Sequence, residues 1–192
     1  MFAHFRTATL VLMTLSLLTG VVYPAIVTGV AQVVFPHQAN GSMLRRGNTQ
    51  AGSALIGQSF TRPEYFWSRL SATGGRPYNA AASSGSNYGP MHPALLESAQ
   101  TRIAALDKAG SSVSAVPVDL VTSSASGLDP HISPAAAEFQ VSRVAAVRRV
   151  EEAVVRSLVQ QHTQGRTFGM LGEPRVNVLQ LNLALDQQTE GP

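Results

Sequence analysis

The feature that most constrains this chain is an apolar run near its beginning. Between residues 7 and 36 the only ionisable side chain is that of Tyr23, and a helix needs about 20 mostly apolar residues to cross the hydrocarbon core of a bilayer. We therefore expect a transmembrane helix over residues 7–36 after a tail of residues 1–6. A secretory signal peptide is the alternative, but its apolar segment is usually only about 7–15 residues long, which favours a retained anchor.

Two positions in this helix are candidates for contact with partner helices. Small and weakly polar residues, which let another membrane helix approach closely, occur at Thr14, Ser16, Thr19 and Gly20. Pro24 removes one backbone donor within the run, which neighbouring helices can compensate. We expect Gly20 and Pro24 to face partners. Arginines stand on both sides of the run, at Arg6 and at Arg45–Arg46, so the charge distribution leaves the orientation open.

The composition of the chain excludes several classes of protein. Cysteine is absent, so disulfide scaffolds, thiol catalysis and cysteine-bound zinc are excluded. The formal net charge is only +3, and the pairs Arg45–Arg46 and Arg148–Arg149 lie far apart without aromatic neighbours. A nucleic-acid binder concentrates such residues into a basic patch, so we expect no nucleic-acid partner and interpret both pairs as solvated surface.

The remainder of the chain predicts one α+β domain over residues 37–186, with a frayed tail at 187–192. Pro93 and Gly110 bracket an amphipathic helix, and Ser133 with Pro134 starts a longer one that continues to Gly165. Strands are predicted at residues 52–60 and 116–121, and the alternation of Leu179, Leu181, Leu183 and Leu185 predicts another. The outer face of the long helix, expected in solvent, carries Arg143, Arg148, Glu152 and Arg156.

Two stretches are rich in turn-forming residues and lack the common catalytic motifs. Residues 71–92 and 122–133 contain neither GxxxxGK[ST] nor GxSxG, the motifs of a nucleotide-binding P-loop and a serine-hydrolase elbow. Ser126, Asp129 and His131 contain the residue types of a catalytic triad within one short loop, although triad members normally come from separated segments. The histidines lack metal-ligand spacing, so we expect no catalytic residue and no metal site. A weak anion-binding signal remains at Ser84, Gly85, Ser86 and Asn87.

Five strings in this order resemble one family. They are QANGS at 38–42, GSALIGQSF at 52–60, SGSNYGP at 84–90, SGLDPHISP at 126–134 and VNVLQLNLALD at 176–186. Together they are similar to the C subunit of the Kdp potassium-transporting P-type ATPase, from Tyr23-Pro24 almost to the end of the chain. The chain departs from the family pattern at Ser68 and Leu70, where a glycine and a proline are usual, and at Met91-His92, where a polar pair is common.

The resemblance implies a single-span accessory subunit of the cell membrane, with its N-terminus inside and its domain on the outer face. Its partners would be a potassium-channel-like subunit, a P-type subunit that hydrolyses ATP, and membrane lipid. Family members are described as catalytic chaperones that raise the ATP affinity of the hydrolysing subunit. Because ATP is cytosolic, an outer domain would reach it only through the complex, and no tightly bound cofactor is expected. An assembly subunit, a lid over the outer potassium entrance and an unrelated anchored hydrolase are the alternatives.

The turn over residues 126–134 is expected to be structural and to face a partner. Gly127 can adopt a positive φ that other residues resist, Pro130 fixes the backbone, and Ser133 caps the following helix. Asp129 and His131 would hold the turn by local hydrogen bonds or reach a partner subunit.

Overall fold

The computed structural model describes residues 2–189 and divides them into two units that meet between Met43 and Leu44. The first unit contains α1 (Phe2–Leu17), a π-helical turn (Leu18–Val22), α2 (Tyr23–Val34) and α3 (Pro36–Ala39). Together α1, the π turn and α2 form one continuous apolar helix, Phe2–Val34, which is long and apolar enough to span a membrane. The structure therefore contains an N-terminal helix with the length and apolar composition predicted for a membrane span.

Pro24 explains the π turn within this helix. A proline inside a helix lacks the backbone N–H, and its ring clashes with the carbonyl four residues earlier. Here the backbone widens over Leu18–Val22, and the N–H of Tyr23 donates to the carbonyl of Leu18, five residues back. Such single-turn π bulges absorb a local misfit without ending the helix.

The second unit is a mixed helix and strand domain, as the sequence predicts. Its elements are β1 (Met43–Arg46), β2 (Thr49–Ser53), a 3-10 turn (Ala80–Ala82), α4 (Pro93–Lys108), α5 (Val118–Val121), β3 (His131–Ile132), α6 (Pro134–Arg148), α7 (Glu152–Gln161), β4 (Thr163–Gln164), β5 (Arg175–Asn177) and α8 (Val178–Thr189). β1 pairs with β2, and β5 lies between β3 and β4. Both neighbours of β5 are antiparallel, with Ile132 and Thr163 each opposite Val176.

The core of the domain lies between the helices and this small sheet. α6 and α7 contribute Val141, Val144, Val155 and Leu158, while Val176, Leu181 and Leu185 come from β5 and α8. Phe66 and Trp67 enter the core from an irregular segment, and both are buried.

Three helix ends follow the sequence prediction and a fourth does not. α4 has Pro93 in its first turn, and Gly110 follows its end with a φ of +91°. Ser133 caps α6 through its hydroxyl, which accepts from the N–H of Ala136 at 3.0 Å. The single long helix predicted up to Gly165 is wrong, because the chain turns at Arg149, whose φ is +58°, and α7 begins three residues later.

The predicted strands are also corrected. The alternating leucines lie in helix α8. Leucines at every second position include pairs four residues apart, which share one face of a helix, and here Leu181 and Leu185 are buried on that face. Residues 118–121 form the short helix α5. In the segment 52–60, strand structure ends at Ser53, and a turn and irregular backbone follow. Of the residues predicted as a tail, 187–189 form the last part of α8, and 190–192 lie outside the described residues.

Candidate functional site

The structure brings the two candidate loops together. The N–H of Ser84 donates to the carbonyl of Ser126 at 3.0 Å, and the hydroxyl of Ser83 donates to the same oxygen at 2.9 Å. Ser71 bridges from a third segment, because its hydroxyl donates to the carbonyl of Gly127 at 2.7 Å. We call this contact of residues 71–79, 83–85 and 123–129 the loop junction.

Glycines allow the loop junction to close. Gly127 has the expected positive φ, +68°, and a Cβ there would lie 2.6 Å from the carbonyl oxygen of Ser84. A Cβ on Gly85 would lie 2.7 Å from the carbonyl oxygen of Ala125. Because these obstacles are backbone atoms, side chains at either position would force the loops apart.

Ser84, Gly85, Ser86 and Asn87 are partly committed to this packing. The N–H of Ser84 is bonded across the junction, and its hydroxyl donates to the carbonyl of Gly85 at 3.1 Å. Asn87 has a φ of +52°, a conformation that asparagine tolerates better than most residues. Two of the donors considered for an anion therefore already have protein partners.

Asp129 and His131 make the local hydrogen bonds expected of a rigid turn. The N–H of His131 donates to Asp129 Oδ1 at 3.0 Å, and the His131 Nδ1 atom lies 3.2 Å from the same oxygen. Arg69 donates to Asp129 Oδ2 at 3.2 Å. Burial disfavours ionisation of Asp129, but the hydrogen bonds from His131, with the charges of His131 and Arg69, outweigh it and hold the pKa of this carboxyl below its usual value.

An open cleft lies beside this turn. It has a volume of about 350 Å³, and Asp119, Asp129, His131, Glu173 and Arg175 contribute its polar lining. Asp119 is engaged, because its carboxylate accepts from the N–H of Ser133 at 2.7 Å. Among the described residues, no group of three or more His, Asp or Glu side chains is placed to hold a metal ion.

A second feature, which the sequence analysis missed, is a segment held by side chains instead of a strand partner. The Gln140 side chain accepts from the Trp67 N–H at 2.7 Å and donates to the Trp67 carbonyl at 3.2 Å. Asn182 pairs with Phe66 in the same reciprocal way, at 2.9 and 3.0 Å. Two amide side chains thus satisfy the backbone of a buried irregular segment. We call residues 63–68 the clamped segment.

Three arginines complete the clamp. Arg143 donates to the carbonyls of Pro63 and Tyr65, Arg148 to that of Glu64, and Arg102 to that of Ser68. Arg102 and Arg143 also stack on the Trp67 ring, with guanidinium carbons 4.7 and 5.1 Å from its centre. Burial lowers the pKa of both guanidinium groups to about 10, and the charge of Arg102 adds to the effect on Arg143.

The prediction that Arg143 and Arg148 face solvent is therefore wrong. Arg143 is 2% exposed, and the Arg148 side chain, 8% exposed, also pairs with Asp186 at 2.7 Å. Glu152 and Arg156 do lie on the exposed face, where they pair with each other. The signal available in the sequence was the polar residue Gln140 on the apolar face of α6, between Ala137 and Val144, because a buried polar side chain needs a partner.

Two of the departures from the family pattern, Ser68 and Leu70, fall at and beside the clamped segment. Ser68 is 3% exposed, and its buried hydroxyl has no hydrogen-bond partner among the described residues. Leu70 pairs with Ser123 in an isolated parallel bridge, and its carbonyl accepts from the Ser124 N–H at 3.2 Å. The backbone at Leu70 thus contributes to the edge of the loop junction without a proline.

Gly20 and Pro24 lie in the first unit. Gly20 is within the π turn, and a Cβ there would have no atom within 4 Å in this chain. Pro24 stands in the first turn of α2. The window that identifies the membrane-length helix is entirely unburied in the described structure, so side chains of this helix are available to lipid or to other helices.

These features define a membrane-associated chain with one apolar N-terminal helix and a small α+β domain. A family model described as KdpC, the c chain of the K+-transporting ATPase, matches residues 5–187. A Herpetosiphon aurantiacus protein named Potassium-transporting ATPase KdpC subunit is 64% identical over 184 residues, covering 95% of each chain. Proteins of the same name from Burkholderia mallei and Burkholderia pseudomallei are 60% identical over 183 residues, again covering 95% of each. The chain belongs to the KdpC family.

Proposed function

We propose that this chain is the accessory, non-catalytic subunit of an ATP-driven, high-affinity potassium uptake complex, which it assembles and stabilises. The observation that carries the proposal is the match to the KdpC family over nearly the whole chain, since relatives that are 60–64% identical are named as subunits of a potassium-transporting ATPase. The unit that contains the membrane helix and the unit that contains the α+β domain are both covered by this match.

The internal geometry supports a binding role for the domain. The loop junction is closed by backbone and hydroxyl hydrogen bonds, and the polar groups of the clamp hold the clamped segment in place. The surface at the loop junction therefore keeps its shape without a ligand, which lowers the entropy cost of binding a partner. The partners we propose are the potassium-channel-like subunit and the P-type subunit that hydrolyses ATP, with Asp129 and His131 at the contact surface.

We place the domain on the outer face of the cell membrane, following the family resemblance. In that topology a domain loop such as Ser84–Asn87 has no access to cytosolic ATP. A role in raising the ATP affinity of the hydrolysing subunit would then act through the membrane helix, where Gly20 and the π turn before Pro24 offer a contact for partner helices. A lid over the outer potassium entrance is the second form that this accessory role could take.

A C-terminal reporter tests the topology. An alkaline phosphatase fused after Pro192 is active only outside the cytoplasm, whereas a fluorescent protein exported in unfolded form is dark there. We expect a phosphatase-positive, fluorescence-negative result. The reverse pattern would place the domain inside and restore direct ATP contact at Ser84–Asn87 as a hypothesis.

A second experiment tests the non-catalytic role. The purified full chain is assayed for ATP and ester hydrolysis, alone and after co-purification with the other subunits. We expect no turnover by the chain alone and potassium-stimulated ATP hydrolysis by the complex. Turnover by the chain alone that is lost in Ser126→Ala or His131→Ala would support the hydrolase alternative instead.

A further inference from the structure

An exposed apolar hairpin lies between β4 and β5, and its base residue Glu173 borders the cleft beside the loop junction. The side chains of Phe168, Met170 and Leu171 are 86%, 76% and 61% exposed. We call residues 166–173 the hairpin tip. Adjacent large apolar side chains that a domain leaves in water often mark an interaction site.

Backbone hydrogen bonds and an ion pair hold the hairpin tip in a defined conformation. The N–H of Thr167 donates to the carbonyl of Leu171 at 2.8 Å, and the N–H of Leu171 donates back at 2.9 Å. At the base, Arg166 donates to both carboxylate oxygens of Glu173, at 2.9 and 2.8 Å. The three apolar side chains are therefore presented on a closed turn.

Phe168 occupies an unfavourable backbone conformation to reach this position. Its φ is +54°, followed by +75° at Gly169, and a bulky residue with positive φ is an outlier that needs a reason. The hairpin itself accounts for the conformation, because positive φ at both 168 and 169, with the N–H of Met170 donating to the carbonyl of Thr167 at 3.2 Å, is the geometry of a tight turn between antiparallel strands. The turn does not account for the residue type, because such turns favour asparagine, aspartate or glycine at this position, whereas here a phenylalanine ring is held in water.

The charges at the hairpin tip favour a protein over a lipid surface as the occupant. Loops and helices that bind bilayers usually add unpaired basic residues, which attract anionic headgroups. Here Arg166 is neutralised by Glu173, whose side chain is 77% exposed. The chain also has its own apolar helix for membrane anchoring, so a second lipid contact is not needed for attachment.

We propose that the hairpin tip docks into an apolar pocket on a neighbouring protein subunit, with Phe168 as the anchor and Met170 and Leu171 around it. Rigid aromatic side chains are enriched among the residues that dominate binding energy, and methionine adapts to irregular apolar surfaces. The proposal rests on the accessory-subunit function above and names the surface by which the domain holds its partner.

A single-cysteine probe tests where the hairpin tip lies. Because the chain has no cysteine, Met170→Cys carries one polarity-sensitive fluorophore in the full chain, and Met91→Cys, at a residue 93% exposed, is the matched control. We expect the label at 170 to report water when the chain alone is in phosphatidylethanolamine–phosphatidylglycerol vesicles, and an apolar site once the other subunits are present. An apolar signal in vesicles without those subunits, or no change with them, would overturn the proposal.

A pair of substitutions tests the energetic contribution of the anchor. Phe168→Asn removes the ring but suits the positive φ, so we expect an unchanged unfolding temperature and a dissociation constant for the other subunits raised about tenfold or more. Met170→Gln, whose backbone carries no such constraint, should weaken binding in the same direction, while Met91→Gln should not.

Equal affinity of Phe168→Asn, Met170→Gln and the unaltered chain would refute the docking role while leaving the accessory function intact. Failure of the unaltered chain to bind the other subunits would refute the proposed function itself.

Discussion

At the scale of single residues, Gly127 permits the loop junction to close. Its backbone has a φ of +68°, and the carbonyl oxygen of Ser84 occupies the space where a side chain would begin. Both the conformation and the close approach require glycine here. Gly110 shares the positive φ, but a Cβ added there would have no atom within 4 Å. A substitution at Gly110 therefore measures the cost of the backbone conformation without the steric collision.

We predict that Gly127→Ala lowers the free energy of unfolding by more than Gly110→Ala does. Backbone strain costs about 1–3 kcal/mol at either position, and Gly127→Ala adds the collision with Ser84. Trp67 is the single tryptophan and is buried, so its fluorescence during denaturation of the full chain in detergent measures both changes. Equal losses in the two variants would contradict the role assigned to Gly127 in the loop junction.

Gln140 provides a second prediction at this scale. Gln140→Leu leaves both the N–H and the carbonyl of buried Trp67 without their side-chain partner, and each unpaired buried group costs about 1–3 kcal/mol. We expect a loss of about 2–4 kcal/mol in the free energy of unfolding, measured by the same fluorescence signal. Gln160→Leu, on the exposed face of α7, should change it by less than about 0.5 kcal/mol.

At the scale of elements, local signals predicted some structures and missed others for identifiable reasons. The Pro93 and Ser133 helix starts were correct, because proline in the first turn and a serine cap act within a few residues. α8 was predicted as a strand because every second residue is leucine. The pattern alone does not distinguish a strand from a helix, because that depends on what the polar residues between the leucines contact. There Asn182 and Asp186 bind two residues of the clamped segment, Phe66 and Tyr65.

In the candidate site, too, local features could be predicted from the sequence and long-range contacts could not. The positive φ at Gly127 and the Asp129–His131 hydrogen bonds could be predicted, because they are local to one turn. Two other contacts could not be predicted, because each joins segments far apart in the sequence. Ser84 meets Ser126, 42 residues away. Arg143 points inward to the carbonyls of Tyr65 and Pro63, which are 78 and 80 residues away.

The prediction at the scale of elements concerns Gly20 in the N-terminal apolar helix. Gly20 lies in the π turn with open space around it, and small residues allow close approach of membrane helices. We expect Gly20→Leu to reduce co-purification of the other subunits by about fivefold, equivalent to roughly 1 kcal/mol. Gly29→Leu, where the space in this chain is equally open, is the control. Equal recovery of the complex with both variants would make the helix an anchor only.

At the scale of the whole molecule, we propose that the chain contributes binding surfaces to its complex. One apolar helix is long enough to span a membrane, and the domain presents a closed loop junction and an exposed hairpin tip. The KdpC family membership indicates the kind of complex to which these surfaces belong. We therefore expect the complex to depend on this chain, and we expect no hydrolysis by the chain alone.

Potassium-stimulated ATP hydrolysis by the other subunits, purified after expression with and without this chain, tests that dependence. We predict an intact complex with potassium-stimulated activity when the chain is present, and loss of assembly or of that stimulation when it is absent. Adding the purified chain back should restore the activity. An intact complex with full potassium-stimulated hydrolysis in the absence of the chain would contradict the proposed dependence.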